Sequence, residues 1–387
     1  MRRILEGRGR WLLLVAALLM VALMLGLALS QALRDTTPPQ VYLVVPERVA
    51  AGEPFEVTLS ASEPVVYDVT YGTTVLQQVT QDLTLDLIGR PGPQTLQVIA
   101  TDGATNASSY SRTVTGVPAP SLTVKAPQEL IPGEPYSFEA AWTPEGTTLQ
   151  SVVLTKDGAP LPTFRQSNRV LALGSVPLGS PPGTVELSAV ITDEFGRHIT
   201  ESRTLMILPD PQPIEQLVIA PSVLASSTPA NKQLEARVLS AAVTSSPYKN
   251  APLWRQPFLL PIEGHGTSAF ASPRRYAPGG PVSYHQGADI GAPMGTPIHA
   301  TNDGVVVIAG QYPIKGGLVV IDHGANVFSL YFHQSKILVE VGDKVTRGQV
   351  IGEVGSTGLA TGPHLHWEMR LGLEPTNPVS WVGTLWP

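Results

Sequence analysis

Apolar and polar positions along this 387-residue chain fall into three regimes. From Trp11 to Leu29 every residue is apolar or glycine. From Thr37 to about Pro209 apolar residues alternate with polar ones over short stretches. From Arg255 onward, short apolar runs are broken by glycine-containing turns. A helix through the 19 residues of the first run is roughly 30 Å long, enough to cross a bilayer core, and predicts a transmembrane segment. Arg2, Arg3, Arg8 and Arg10 precede it and almost no positive charge follows, which places the N-terminus in the cytoplasm and the rest of the chain outside. Ser30 and Ala32 also suit a signal-peptide cleavage site, but the run is longer than a usual signal core, which favours a retained anchor over residues 1–35.

The second regime predicts strands. Phe55, Val57 and Leu59 alternate with polar neighbours, as do Leu96, Val98 and Ala100. The pattern also repeats. Gly52-Glu53-Pro54-Phe55 returns 81 residues on as Gly133-Glu134-Pro135-Tyr136, and Leu96 to Asp102 returns 91 residues on as Leu187 to Asp193. Two tandem β-sandwich modules, 36–118 and 119–209, account for this. Their strand spacing, with the turns at Thr101-Asp102-Gly103 and Thr192 to Gly196, resembles bacterial immunoglobulin-like domains. Neither carries a nucleophile–base pair or a metal cluster, so spacer or binding-surface roles are expected.

A linker follows over 210–250. Thr228 then Pro229 suit a helix N-cap and first turn, and Leu234, Val238 and Ala242 share one helical face. The helix could pack on the last domain or cover its groove.

Composition narrows the chemistry. With no cysteine, disulfides, thiol nucleophiles and thiolate-ligated metals are excluded, and any metal must be held by imidazole and carboxylate. The 37 prolines and 36 glycines are too few for a disordered chain and fit a turn-rich, mainly β protein. A formal charge of −6 argues against a nucleic-acid partner.

Seven of the eight histidines lie between His265 and His366. His285 and Asp289 are four apart around Gly287, an even spacing that in an extended chain puts both on one face. His364 and His366 flank Leu365, so a strand there sends both imidazoles to one side and Leu365, Trp367 and Met369 to the core. A hydrolytic zinc site uses three protein ligands and keeps a fourth position for water. His285, Asp289 and His366 supply that set, leaving His364 for acid–base work.

The stretch from His285 through Val319 to His323 and on to Met369, in a domain spanning 251–387, resembles the LytM/lysostaphin-type zinc metallopeptidases, which cut peptidoglycan cross-links. The resemblance covers about Arg255 to Trp381. It implies an antiparallel β-sheet core with a groove over Zn²⁺, metal ligands His285, Asp289 and His366, and catalytic histidines His333 and His364. Gln334 stands where leucine is usual and Trp367 where phenylalanine is common, and no ligand is lost. The implied activity is a membrane-anchored, extracytoplasmic endopeptidase acting on peptidoglycan stem peptides or cross-bridges. The alternative is a catalytically silent, peptidoglycan-binding activator of an amidase. No HExxH glutamate is present, so an imidazole must serve as base. The segment Val339 to Gly352 also resembles a lipoyl or biotinyl carrier hammerhead, which an exported domain does not suit. His265 and His299 match no motif position, and His323 sits beside an expected hairpin turn, either orienting a neighbour or exposed.

Overall fold

The computed structural model describes residues 15–27, 35–80, 83–216, 225–276 and 279–387. Residues 15–27 are helical with exposed side chains, and among the described residues no helix is long and apolar enough to cross a membrane. The membrane helix expected over Trp11–Leu29 is therefore not shown, and both ends of that run lie outside the described residues.

The remainder is mainly β, in two compact units: residues 1–119 with 145–147, and residues 120–144 with 148–387. The first holds a three-stranded and a five-stranded sheet around one core that includes Phe55, Leu59, Tyr67, Val98 and Val114. The second begins with a four-stranded and a five-stranded sheet sharing Phe138, Trp142, Leu154, Leu187 and Leu205. The sequence repeat is a repeat of structure. Gly52 and Gly133 both adopt φ +87, and each opens a strand, at Pro54 and Pro135. Asp102 and Asp193 both close a turn, accepting from the amide nitrogen four residues on, Asn106 and Arg197. In the second copy Arg197 also forms a buried ion pair with Asp193 at 2.7 Å.

The carboxy-terminal region is built on one eight-stranded sheet. Its strands are β1 (His265–Ser268), β2 (Ala288–Gly291), β3 (Gly304–Tyr312), β4 (Gly316–Asp322), β5 (Val327–Gln334), β6 (Lys344–Val345), β7 (His364–Leu371) and β8 (Glu374–Thr376). Their order is β1-β2-β7-β5-β4-β3-β6, with β8 on β7, all antiparallel. One face is a dry core: Val319, Ile321, Tyr331, Leu365, Trp367 and Met369 are each fully buried. Phe164, Leu171 and Leu173 of the preceding sandwich join that core, and Glu134 accepts from Asn377 at 2.7 Å and Ser380 at 2.6 Å. The second sandwich is thus packed against the carboxy-terminal region rather than held away from it.

The linker helix α1 (Pro229–Thr244) covers the other face. Thr228 caps it, accepting from the Asn231 amide. The expected stripe is off by one residue: Leu234 is 42% exposed, while Glu235, Leu239 and Val243 are buried. Leu239 and Val243 pack on Ile308, Leu318, Val320 and Phe328. The shift is set by Glu235, whose carboxylate accepts from the Ile314 amide (2.6 Å) and from Lys315 Nζ (3.0 Å) in the β3–β4 loop. A buried carboxylate must be paired, and this pairing takes priority over burying Leu234. Replacing Glu235 with Ala strands Lys315 and two amides, and breaking such a pair costs about 3 kcal/mol or more. Hydrogen exchange at Ile314 and Lys315 should therefore accelerate on the order of 100-fold; unchanged protection would contradict this docking.

Candidate metal centre and groove

Pairing of β2 with β7 builds the site. Their register sets Asp289 opposite His366 and Gly291 opposite His364. Along β7 the apolar residues enter the core, and His364, His366, Glu368 and Arg370 take the other face. His285 precedes β2, held by paired amide–carbonyl bonds with Ala271 and Ser272. Gly287 allows the close approach, since a Cβ there would lie 2.5 Å from the Trp367 carbonyl oxygen and 2.7 Å from His366 Nε2.

Three donor atoms converge. Asp289 Oδ1 lies 2.7 Å from His366 Nδ1 and 3.2 Å from His285 Nε2, and the two nitrogens are 3.1 Å apart. Each imidazole is oriented from behind. His285 Nδ1 is 2.8 Å from the Ala269 carbonyl, which only accepts, so Nδ1 carries the proton and Nε2 faces the cluster. His366 Nε2 is 3.1 Å from Glu368 Oε1, which leaves Nδ1 for the cluster. Arg370 donates to Glu368 at 2.6 Å and to Gln286 at 2.8 Å. Imidazoles backed by carboxylate or carbonyl are the usual second layer of a metal site. Two imidazoles and one carboxylate within 4.8 Å of one another fit a divalent transition metal with a position left open.

His333 and His364 face the same groove, their rings 4.8 Å apart. His364 Nε2 is 3.9 Å from Asp289 Oδ1, and its Nδ1 bonds the Gly362 carbonyl. His333 lies at a β-bulge, where Phe332 and His333 fall between the Val319–Tyr331 and Gly317–Gln334 pairs. Its φ of +61 is a left-handed conformation that costs a non-glycine residue about 1–3 kcal/mol. Strict alternation would return His333 to the core face with Tyr331; the bulge re-aims it into the groove. Its Nδ1 donates to the Thr357 carbonyl at 2.8 Å, so Nε2 is an acceptor.

The groove, of about 630 Å³, is walled by α1 residues Lys232, Ala236 and Leu239 and, opposite, by Arg274, Ser283 and Tyr284. Phe332 stacks on His366 at 4.7 Å, and Lys315 Nζ lies 5.4 Å over the Phe332 ring. His265 and His299 lie outside this groove. His323 is fully buried between the Asp303 carbonyl and Ser329 Oγ, both at 2.7 Å, and burial lowers its pKa to about 4. It is a neutral structural histidine.

Residues 283–378 match the model of peptidase family M23. The chain is 49% identical over 96 residues, 25% of its length, to the peptidoglycan DD-endopeptidase ShyA of Vibrio cholerae, and 32% identical over 188 residues to ShyC of the same organism. It is also 37% identical to the catalytic domain of the prophage-encoded M23 protein EnpA from Enterococcus faecalis, covering 33% of this chain and 95% of that one with a TM-score of 0.27. The carboxy-terminal domain belongs to peptidase family M23. The matched segments span 22% of ShyA and 43% of ShyC.

Within the M23 domain the five histidine and aspartate positions singled out in the sequence lie in one groove. The sequence reading missed Glu368 and Arg370, although both fall on the His364/His366 face by alternation. It also missed Glu235, which carries no motif.

Electrostatics ties the cluster together. Burial pushes Asp289 up, but hydrogen bonds from His285 and His366 outweigh it and hold the carboxyl well below the usual range. Burial pushes His366 down, and its bonds to Asp289 and Glu368 overcome this to raise it to about 9. Glu368, which burial would raise, is lowered to about 2 by Arg370 and His366. His333 is lowered to about 3 by burial, reinforced by His366 and His364. Without metal, His366 therefore holds a proton at pH 7 that a metal must displace. Calorimetric titration at pH 7 in buffers of different ionisation enthalpy should show release of about one proton from this group, with affinity falling about tenfold per pH unit below about 9. Absence of proton release would contradict the assignment. Glu368→Gln should weaken metal binding about 10- to 100-fold in the same titration.

Proposed function

We propose that the protein is a zinc-dependent endopeptidase that hydrolyses peptide cross-links of bacterial peptidoglycan. The observation carrying this is the convergence, in one groove of an M23 domain, of a three-donor cluster and two further imidazoles. The similarity to ShyA, a peptidoglycan DD-endopeptidase, supports the substrate class. The apolar run at Trp11–Leu29, preceded by four arginines, supports an extracytoplasmic location for the domain, where peptidoglycan is met.

His285 Nε2, Asp289 Oδ1 and His366 Nδ1 are the atoms that would hold zinc. When bound, zinc polarises a carbonyl and lowers the pKa of water toward neutrality. The rest falls to the chain. His333 stays neutral because it is buried, and its Nε2 lone pair is the proton acceptor. His364, fixed by Gly362, points its Nε2 at the same space, placed to pass the proton on or to donate to the developing oxyanion. Glu368 and Arg370 keep His366 in the tautomer that presents Nδ1. Helix α1 and Phe332 wall the groove beside the cluster. The two β-sandwich modules serve as spacer and support.

Digestion of sacculi by the purified chain, followed by mass spectrometry of the released peptides, tests this reading. The expected products are cross-link cleavage products, abolished by chelator. His333→Ala and His364→Ala should each lose about 10²- to 10⁴-fold in rate with zinc content unchanged; His366→Ala should lose both zinc and activity. Full activity in His366→Ala would sink the reading. Intact sacculi in the presence of bound zinc would favour the silent, amidase-activating alternative.

A further inference from the structure

The groove carries positive charge that its own carboxylates do not neutralise. Asp289 is taken up by His285 and His366, and Glu368 by His366 and Arg370. Lys315 is paired with Glu235. Two cations remain. Arg274, in the short strand Pro273–Arg275 paired with Ser283–Tyr284, donates from Nη2 to Ser268 Oγ. Its Nε is buried with no hydrogen-bond partner, and among the described residues no carboxylate forms an ion pair with it. Lys232, exposed on α1, lines the other wall and has no ion pair among the described residues either.

Arg274 is also close to the chemistry. Ser268, its acceptor, pairs in register with Asp289, and Ser268 Oγ lies 3.5 Å from His285 Nδ1. Through that hydroxyl the guanidinium reaches the outer nitrogen of His285, the one turned away from the metal cluster, while Arg274 itself lines the same groove as the cluster.

We propose that Arg274, assisted by Lys232, is a carboxylate-binding subsite that makes the enzyme select peptides carrying a free carboxylate beside the scissile bond. The inference rests on the endopeptidase reading above and sharpens its substrate class. A guanidinium fork matches a carboxylate in two parallel hydrogen bonds and strengthens where water is scarce. An amidated peptide offers no charge and leaves a buried donor unpaired, which discriminates against it.

The test compares cross-linked muropeptide dimers with free carboxylates against the same dimers amidated, using the full zinc-loaded chain. The acid form should be preferred about 10- to 100-fold in kcat/KM. Arg274→Met should collapse that preference to within about threefold, Arg274→Lys should restore part of it, and Lys232→Met should reduce it more weakly, all with unchanged zinc content. A ratio unaffected by Arg274→Met, or an equal loss on both substrates, would overturn the proposal. If neither dimer is cut, the endopeptidase reading fails, and equilibrium binding of a D-alanyl peptide acid and its amide then decides the subsite. Preference for the acid that disappears in Arg274→Met supports it; equal binding overturns it.

Discussion

The site depends on one constraint, the register between β2 and β7. Opposition of Asp289 and His366 in an antiparallel pair places a carboxylate and an imidazole 2.7 Å apart without help from any loop. A slip of one residue would send His366 into the core and Trp367 into the groove. That slip is blocked by the other face of β7, where Leu365, Trp367 and Met369 fill a dry core. The hydrophobic effect thus enforces, through the two-residue period of the strand, the placement of polar groups that are costly to bury. Their cost is offset by mutual pairing: Asp289 to His366, His366 to Glu368, Glu368 to Arg370, and Arg370 to Gln286.

Around that pair the chain adds side chains from elements that alternation alone would not bring in. His285 arrives from the segment before β2 because Gly287 lets the backbone pass against Trp367. His333 arrives by a bulge, at the energetic cost of a left-handed backbone conformation. Helix α1 closes one wall because Glu235 needs partners and finds them in the β3–β4 loop. Each device is local, and each depends on the sheet being rigid beneath it.

Much of this was legible in the sequence. Strand alternation at His364-Leu365-His366 puts both histidines on the groove face of β7, and the Gly52/Gly133 repeat recurs as two glycines of the same φ, each just before a strand. What was not legible depended on contacts remote in sequence. The buried stripe of α1 shifted by one residue because a polar contact 79 residues away outweighs the burial of Leu234. The packing of the second sandwich against the catalytic sheet through Glu134 and Asn377, 243 residues apart, leaves no periodic trace. His323 looked like a turn histidine beside Gly324, yet it is fully buried, because Asp303 and Ser329 come from separate strands and loops. Glu368 and Arg370 follow from the same alternation that places the histidines, since both lie on the His364/His366 face of β7.

Glu368 and the Ala269 carbonyl fix which imidazole nitrogens face the cluster. A zinc-loaded crystal structure, with the ion located by anomalous scattering at the zinc edge, tests it most directly. The expected result is zinc bound by His285 Nε2, Asp289 Oδ1 and His366 Nδ1, with His333 and His364 uncoordinated and Glu368 still on His366 Nε2. Zinc held through His366 Nε2, or by His333 or His364 in place of Asp289, would contradict it.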